Sequence, residues 1–287
     1  MINKATILDG KNLSNIIQKS LALEVAKLKE NNILPSLCVV LVGENPASVS
    51  YVNMKAKACL NVGIKSSIIR LSENITQDEL LKQIEFLNND KNINGILVQL
   101  PLPKHIDTNL ILECININKD VDGFHPYNIG RMYANIDTFL PATPLGIMLL
   151  LKHYNISLKG RDVCIIGASN IVGKPLSLMM LNEGASVSIC HILTKDLRQY
   201  TLKADIVCVG VGKINLLTAD MIKENAVVID IGINKRNNKI LGDANFNEIS
   251  KKASFITPVP GGVGPMTISA LLQNTIKSAK IQSNIKA

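Results

Sequence analysis

The chain has 287 residues, 47% hydrophobic and 19% charged, a globular composition that excludes intrinsic disorder and leaves room for one large domain or two ordinary ones. The net charge of +8 raises nucleic acid as a partner, but the lysines are dispersed, aromatics are 3% and tryptophan is absent, so an anionic small substrate is the better expectation than a nucleic acid. No apolar run approaches the ~18 residues that cross a bilayer, the polar first ten residues do not read as a signal peptide, and the six cysteines form no C-x-x-C pair, so the expectation is a cytoplasmic chain with no membrane partner, no metal, and buried free thiols at Cys38, Cys164, Cys190 and Cys208.

Apolar runs alternate with helical patterns along the chain, which predicts βα units and a mostly parallel sheet. Leu13, Ile17, Leu21, Val25 and Leu28 make one helical stripe. Residues 36–42 read as a buried strand, 47–61 as a helix and 65–71 as a strand. Thr76 and Glu79 form a capping box for the next helix. Residues 95–100 read as a strand stopped by Pro101 and Pro103, and 107–115 as a short helix. Residues 120–141 carry Gly123, Pro126 and Gly130 with few periodic apolar positions, and read as a linker or site loop. Thr143 and Pro144 suit the N-cap and first position of a new helix. The second half repeats the pattern, with strands at 162–166, 186–190, 206–209 and 227–231 and a helix at 172–183. A final helix, about 267–280, carries Ile268, Leu271, Leu272 and Ile276 on one face, and the tail beyond it is expected to fray.

Val163 to Pro175 runs strand, turn, helix, the context a phosphate-binding loop requires. Gly167 permits a sharp turn, small Ala168 and Ser169 leave room for a pyrophosphate, and Gly173 permits close helix packing. Ser169 stands where the dinucleotide fingerprint has its middle glycine, and Gly173 comes one residue late. The next strand ends at Cys190, followed by His191, Ile192, Leu193, Thr194 and Lys195. No acid is there to hold a ribose diol, while Lys195 and Arg198 favour a 2′-phosphate, so the balance leans to NADP over NAD.

Tyr51 and Lys55 are four apart on one helix and share a face. A lysine facing an apolar cleft loses charge stability and becomes a base, and a nearby phenol can orient it. The plainer alternative is an exposed lysine beside a half-buried tyrosine. Gln99 ends its strand before Leu100 and two prolines, and is expected to point into a cleft. Asp120 and Asp122 open the irregular loop, where an acid could accept hydrogen bonds from an aminopyrimidine edge. Thr257 to Thr267 is a rigid Pro/Gly turn whose glycines allow close backbone approach to a ligand.

Together, Tyr51-x-x-x-Lys55, Val98-Gln-Leu-Pro-Leu-Pro103, Asp120-Val-Asp-Gly-Phe124, Gly167-Ala-Ser-Asn-Ile-Val-Gly-Lys-Pro175 and Pro258-Val-Pro-Gly-Gly-Val-Gly-Pro265 resemble the bifunctional methylenetetrahydrofolate dehydrogenase/cyclohydrolase family, in its order and over nearly the whole chain. The resemblance implies oxidation of methylenetetrahydrofolate with NADP⁺ and hydrolysis of the methenyl product. It implies that Lys55 is the catalytic lysine, that Gln99 tunes it, that Tyr51 stacks on or orients the folate, and that Asp122 holds the pterin. Val98, Leu100, Pro260, Gly261, Gly262, Val263 and Gly264 fall beside the folate. Gly167, Ala168, Ser169, Gly173, Ile192, Thr194 and Ile233 fall on cofactor contacts. Ile192 departs from the Arg or Ser that relatives commonly place beside the histidine, which keeps NAD as an alternative cofactor.

The expected architecture is α/β, with two domains around a cleft, the second a Rossmann-type doubly wound parallel sheet. Residues 1–120 plus 267–287 are expected to form the folate-binding catalytic domain, 121–140 a connecting site loop, and 141–266 the NADP-binding domain; the family implies a homodimer. Two other readings are a dehydrogenase of similar architecture acting on another small substrate, and a non-catalytic folate or nucleotide sensor. Gln99 and the turn at 260–264 argue against the first, and Lys55 with Gln99 against the second.

Overall fold

The structure, a computed structural model, describes residues 5–237 and 239–285. In chain order its elements are β1 (Thr6–Ile7), α1 (Gly10–Glu30), β2 (Ser36–Val42), α2 (Pro46–Val62), β3 (Lys65–Leu71), α3 (Gln77–Asn89), β4 (Gly95–Val98), α4 (Thr108–Glu113), α5 (Pro126–Tyr133), α6 (Ala142–His153), β5 (Asp162–Ile166), α7 (Gly173–Asn182), β6 (Ser186–Cys190), α8 (Arg198–Thr201), β7 (Ile206–Val209), β8 (Val227–Asp230), β9 (Asn234–Arg236), β10 (Lys239–Leu241), α9 (Phe246–Ile249), β11 (Phe255–Ile256) and α10 (Val263–Gln282). They fall into two units. One holds Ile16–Ala142 and the described part of Ile268–Ala287; the other holds the described part of Met1–Asn15 and Thr143–Thr267.

The first unit is built on a parallel sheet in the order β3-β2-β4. Every residue of β2 is buried, as a central strand covered on both faces requires. Leu80, Ile84 and Leu87 of α3 pack with Cys38, Val40, Ile96 and Val98, each fully buried aliphatic side chain contributing about 1.5–3 kcal/mol. Helix α2 starts where Asn45 accepts from the backbone N–H groups of Ala47 and Ser48, with Pro46 in the first turn, and stops at Gly63, whose φ of 82° is left-handed. The capping box of Thr76 and Glu79 is present.

Two local expectations change here. Strand β4 ends at Val98: Gln99 N–H still donates to Val40 O at 2.9 Å, and the peptide bond between Leu100 and Pro101 is cis. Within 120–141 lies α5, eight residues with Pro126 in its first turn and the side chain of His125 accepting from Tyr127 N–H. A helix so short shows about two turns, too few for apolar periodicity to reveal. The same stretch belongs to this unit, tied to α10 by Asn274, whose side-chain amide donates to Val121 O and Leu140 O at 2.8 and 2.9 Å.

The second unit carries a six-stranded sheet in the order β1-β11-β8-β7-β5-β6, parallel throughout. The chain passes from β5 through α7 to β6 on one side, then crosses to β7 on the other. That reversal is the switch point of a doubly wound sheet. Strand β1 pairs with β11, so Thr6 and Ile7 lie in this sheet rather than with the 1–120 segment to which sequence assigns them. A two-residue strand has no alternation to read. The same limit hides β11 and the β9–β10 hairpin. Helix α10 begins at Val263, four residues before the expected start, contributing its first turn here and its length from Ile268 to the other unit. Helix α6 begins at Ala142, so Thr143 lies inside it instead of capping it. Residues 286 and 287 of the tail expected to fray lie outside the described residues. All six cysteines are free, and five are buried, including Cys59; Cys114 is exposed.

Candidate active site

Parallel register brings the candidate chemistry of the first unit to one sheet edge. The segment at Asp120 bridges Ile96 in parallel, so Asp122 and Gln99 both emerge just past the carboxyl end of β4, where open α/β sheets place ligands. Asp120 itself is buried and braces this segment. Its carboxylate accepts from the backbone N–H groups of Gly123, Phe124 and His125 and from the side-chain amide of Asn128, at 2.8–3.1 Å. Sequence reading noticed Asp120 without assigning it this bracing role.

Lys55 projects from α2 and is buried. Its Nζ donates to Gln99 Oε1 at 3.1 Å, and Gln99 Nε2 donates to Leu100 O at 2.7 Å. The amide is thus held at both ends with its carbonyl oxygen on the lysine. Burial holds the Lys55 ammonium below the ordinary lysine range; the carboxylate of Asp122 opposes that without overcoming it. Burial also raises the Asp122 carboxyl, with Lys55 pulling it down, and raises the Tyr51 phenol one turn before Lys55. Cys59, one turn after Lys55, has its thiol pushed up to about 12 by burial, so it stays a neutral neighbour. Val98 is buried and Leu100 partly buried beside Gln99. A desolvated lysine, a fixed amide oxygen and an adjacent acid make a site able to accept a proton from water.

The remaining candidates lie in the second unit. Gly167 follows β5 with φ +124°, and a Cβ there would sit 2.6 Å from Gly210 O; a Cβ on Gly173 would sit 1.8 Å from Gly167 O. Only glycine admits this closeness of turn and helix. The hydroxyl of Ser169 accepts from Val172 and Gly173 N–H at 3.2 and 3.3 Å, so it satisfies two N–H groups at the start of α7 in addition to being small. After β6, Thr194 Oγ1 accepts from His191 N–H at 2.9 Å, closing a turn that leaves Ile192 97% exposed. Arg198, one of the two cations expected to favour a 2′-phosphate, is paired with Asp220. Ile233 lies past β8, half-exposed, and its Cδ1 is 4.0 Å from where a Cβ on Gly264 would be. The turn at 260–264 is anchored from the chain's first helix: Lys11 N–H donates to Gly261 O at 2.8 Å and Ser14 Oγ to Pro265 O at 3.1 Å. A glycine cradle at the switch point of a parallel sheet fits a dinucleotide pyrophosphate. Among the described residues, no group of three His, Cys, Asp or Glu could hold a metal ion.

Comparison with known proteins agrees with both halves of this geometry. Residues 8–122 match the tetrahydrofolate dehydrogenase/cyclohydrolase catalytic domain, and residues 141–283 match the NAD(P)-binding domain of the same family. The bifunctional protein FolD of Helicobacter hepaticus is 62% identical over 275 residues, covering 96% of each chain. The crystal structure of the bifunctional enzyme FolD, a methylenetetrahydrofolate dehydrogenase/cyclohydrolase from Campylobacter jejuni, superposes with a TM-score of 0.95 at 57% identity, covering 96% of this chain and 99% of that one. The Trypanosoma brucei methylenetetrahydrofolate dehydrogenase-cyclohydrolase, solved with NADP cofactor and inhibitor, gives a TM-score of 0.94 at 34% identity over 98% of this chain and 99% of its own. With a buried lysine held on a glutamine in one unit and a glycine cradle in the other, the chain belongs to the tetrahydrofolate dehydrogenase/cyclohydrolase family.

Proposed function

We propose that the chain oxidises 5,10-methylenetetrahydrofolate to 5,10-methenyltetrahydrofolate with NADP and hydrolyses that product to 10-formyltetrahydrofolate. These are steps of one-carbon metabolism that would serve purine, methionine and histidine synthesis. The observation that carries this reading is the 3.1 Å hydrogen bond from buried Lys55 to Gln99.

Oxidation needs little from protein side chains beyond alignment, because the folate nitrogens push out the hydride. A bound nicotinamide ring supplies the acceptor. The chain's task is to hold the two rings, with Tyr51, Asp122, Val98, Leu100 and the turn at 260–264 on the folate, and Gly167 to Ser169, Gly173, Ile192, Thr194 and Ile233 on the nucleotide. Hydrolysis makes a stronger demand. Water adds to a cationic amidine-like carbon, one carbon–nitrogen bond breaks, one nitrogen gains a proton and a further proton must leave. Desolvated Lys55, neutral more often than a surface lysine, accepts that proton directly or through water. A neutral amine also spares the cationic substrate the repulsion an ammonium would exert. Gln99 keeps the amine aimed, and Asp122 limits how far its basicity falls.

Two further features belong to this reading. The chain works in the cytoplasm; no helix among the described residues is long and apolar enough to cross a membrane. It pairs as a homodimer through the second unit, whose edge strand β6 exposes Ile189 and in which Leu181 of α7 and Leu193 of the turn after β6 are exposed too. Light scattering should give twice the mass of one chain. The enzymatic reading is tested by giving the protein methenyltetrahydrofolate without nucleotide: decay well above the spontaneous rate is expected, and decay at the spontaneous rate would contradict it.

A further inference from the structure

Two acids sit buried together in the second unit, apart from the residues assigned above. Asp243 follows β10, and Asp230 ends β8. Asp243 Oδ2 accepts from Val211 and Gly212 N–H at 2.6 and 2.9 Å, and its Oδ1 from the Asn234 side-chain amide at 2.8 Å. Asp230 Oδ1 accepts from Gly232 and Asp243 N–H at 3.0 and 2.9 Å, and its Oδ2 from Ala244 N–H at 2.9 Å. The two side chains press against glycines: a Cβ on Gly232 would lie 2.2 Å from Asp243 Cγ, and one on Gly242 1.8 Å from Asp230 Oδ2.

These donors are not scattered. Val209 pairs with Asp230 in register, so the loops after β7 and β8 leave the sheet at the same carboxyl edge. That edge receives ligands in a parallel α/β sheet. The loop after β7 also supplies Gly210, whose carbonyl oxygen limits Gly167 to glycine, and the loop after β8 ends at Ile233. The backbone N–H of Asp230 and the hydroxyl of Thr257 continue the network to the start of the Pro/Gly turn, Asp230 N–H donating to Thr257 Oγ1 at 2.7 Å. Burying two carboxylates in one place is costly, and well-packed apolar groups would often stabilise a fold more. A fully satisfied polar network instead fixes a single geometry.

We propose that Asp243 and Asp230 form a positioning pair that sets the loops at 210–212 and 231–233 against the bound dinucleotide, and so governs nucleotide affinity while leaving the chemistry at Lys55 alone. The inference rests on the dinucleotide use proposed above and deepens it. Replacing Asp243 by Asn exchanges one acceptor oxygen for an NH₂ group that must face existing donors, from Val211 and Gly212 on one side or from Asn234 on the other.

The test is Asp243→Asn, measured by calorimetry for NADP⁺ binding and by two separate assays. The dissociation constant for NADP⁺ should rise about tenfold or more, from one buried hydrogen-bond mismatch, and KM for NADP⁺ should rise with it more than kcat falls. Hydrolysis of methenyltetrahydrofolate without nucleotide should stay within about twofold of the wild type, since Asp243 and Lys55 belong to different units and share no hydrogen-bond partner. Asn234→Ala, which removes one donor and introduces none, should raise the same dissociation constant by about threefold, and it decides the matter should Asp243→Asn fail to fold. Unchanged NADP⁺ affinity in the folded variants, or equal loss of hydrolysis and oxidation, would overturn the inference. A wild-type protein that binds neither NADP⁺ nor NAD⁺ would instead overturn the dinucleotide reading itself.

Discussion

Replacing Gln99 with Glu changes one heavy atom of the site, the amide nitrogen to an oxygen, and leaves its shape almost intact. In the wild type, Lys55 Nζ donates to a neutral amide oxygen at 3.1 Å. In the variant the same position holds a carboxylate. At an effective dielectric constant of ~20, unit charges that far apart attract by about 5 kcal/mol. Some of this is spent elsewhere, because the new carboxylate no longer donates to Leu100 O and faces that carbonyl instead. The net effect stabilises the ammonium and moves the Lys55 pKa upward. The amine then remains an ammonium at neutral pH and cannot take the proton that hydrolysis releases. Hydrolysis of methenyltetrahydrofolate at pH 7, corrected for spontaneous decay, should fall by about a hundredfold, the scale of a lost general base, and recover in part as the pH is raised. Near-wild-type hydrolysis at pH 7, or a profile that does not move toward alkaline pH, would refute the neutral-lysine argument.

Lys55→Ala should abolish hydrolysis by about a hundredfold or more while reducing hydride transfer less, because only the former needs a base; equal loss of the two, followed separately, would count against the role. Gly173→Ala forces a methyl group to within 1.8 Å of Gly167 O, so the variant should melt earlier by the equivalent of about 1–3 kcal/mol and bind NADP⁺ more weakly; an unshifted melt with normal affinity would show that the turn relaxes freely. Burial pushes Asp230 up to about 6 from 3.8. A carboxyl raised on folding favours the native state most when protonated, so its contribution is present below pH ~4 and lost by pH ~6, in total about 3 kcal/mol. Denaturant midpoints should therefore show the wild type losing ground to Asp230→Asn as pH rises from 4 to 7.5, and a wild type that gains ground would mean that its backbone donors outweigh burial.

The sequence made the long βα units visible because their signals are redundant. The capping box at Thr76 and Glu79, and β2 as an unbroken apolar run, are local patterns that tertiary structure had no reason to override. Lys55 and Gln99 lie in two motifs 44 residues apart; the family resemblance linked them, but nothing in their spacing states that one amide oxygen rests on one amine. What stayed hidden was of a different kind. Strand β1 has two residues and acquires its identity only by pairing with β11. Helix α5 opens on a histidine cap in a stretch rich in turn residues. Asp243 sits in Leu-Gly-Asp-Ala-Asn, which reads locally as an ordinary surface turn. Its burial follows from the glycines at 232 and 242, which make room for carboxylates coming from elsewhere in the chain.

The most direct test of the central claim mixes the purified protein with methylenetetrahydrofolate and either NADP⁺ or NAD⁺, and follows reduced nucleotide and methenyltetrahydrofolate separately by absorbance. Reduced nucleotide is expected, faster with NADP⁺, with no lasting accumulation of the methenyl intermediate. Absence of reduced nucleotide with both cofactors, or methenyltetrahydrofolate that accumulates and decays only at its spontaneous rate, would contradict it.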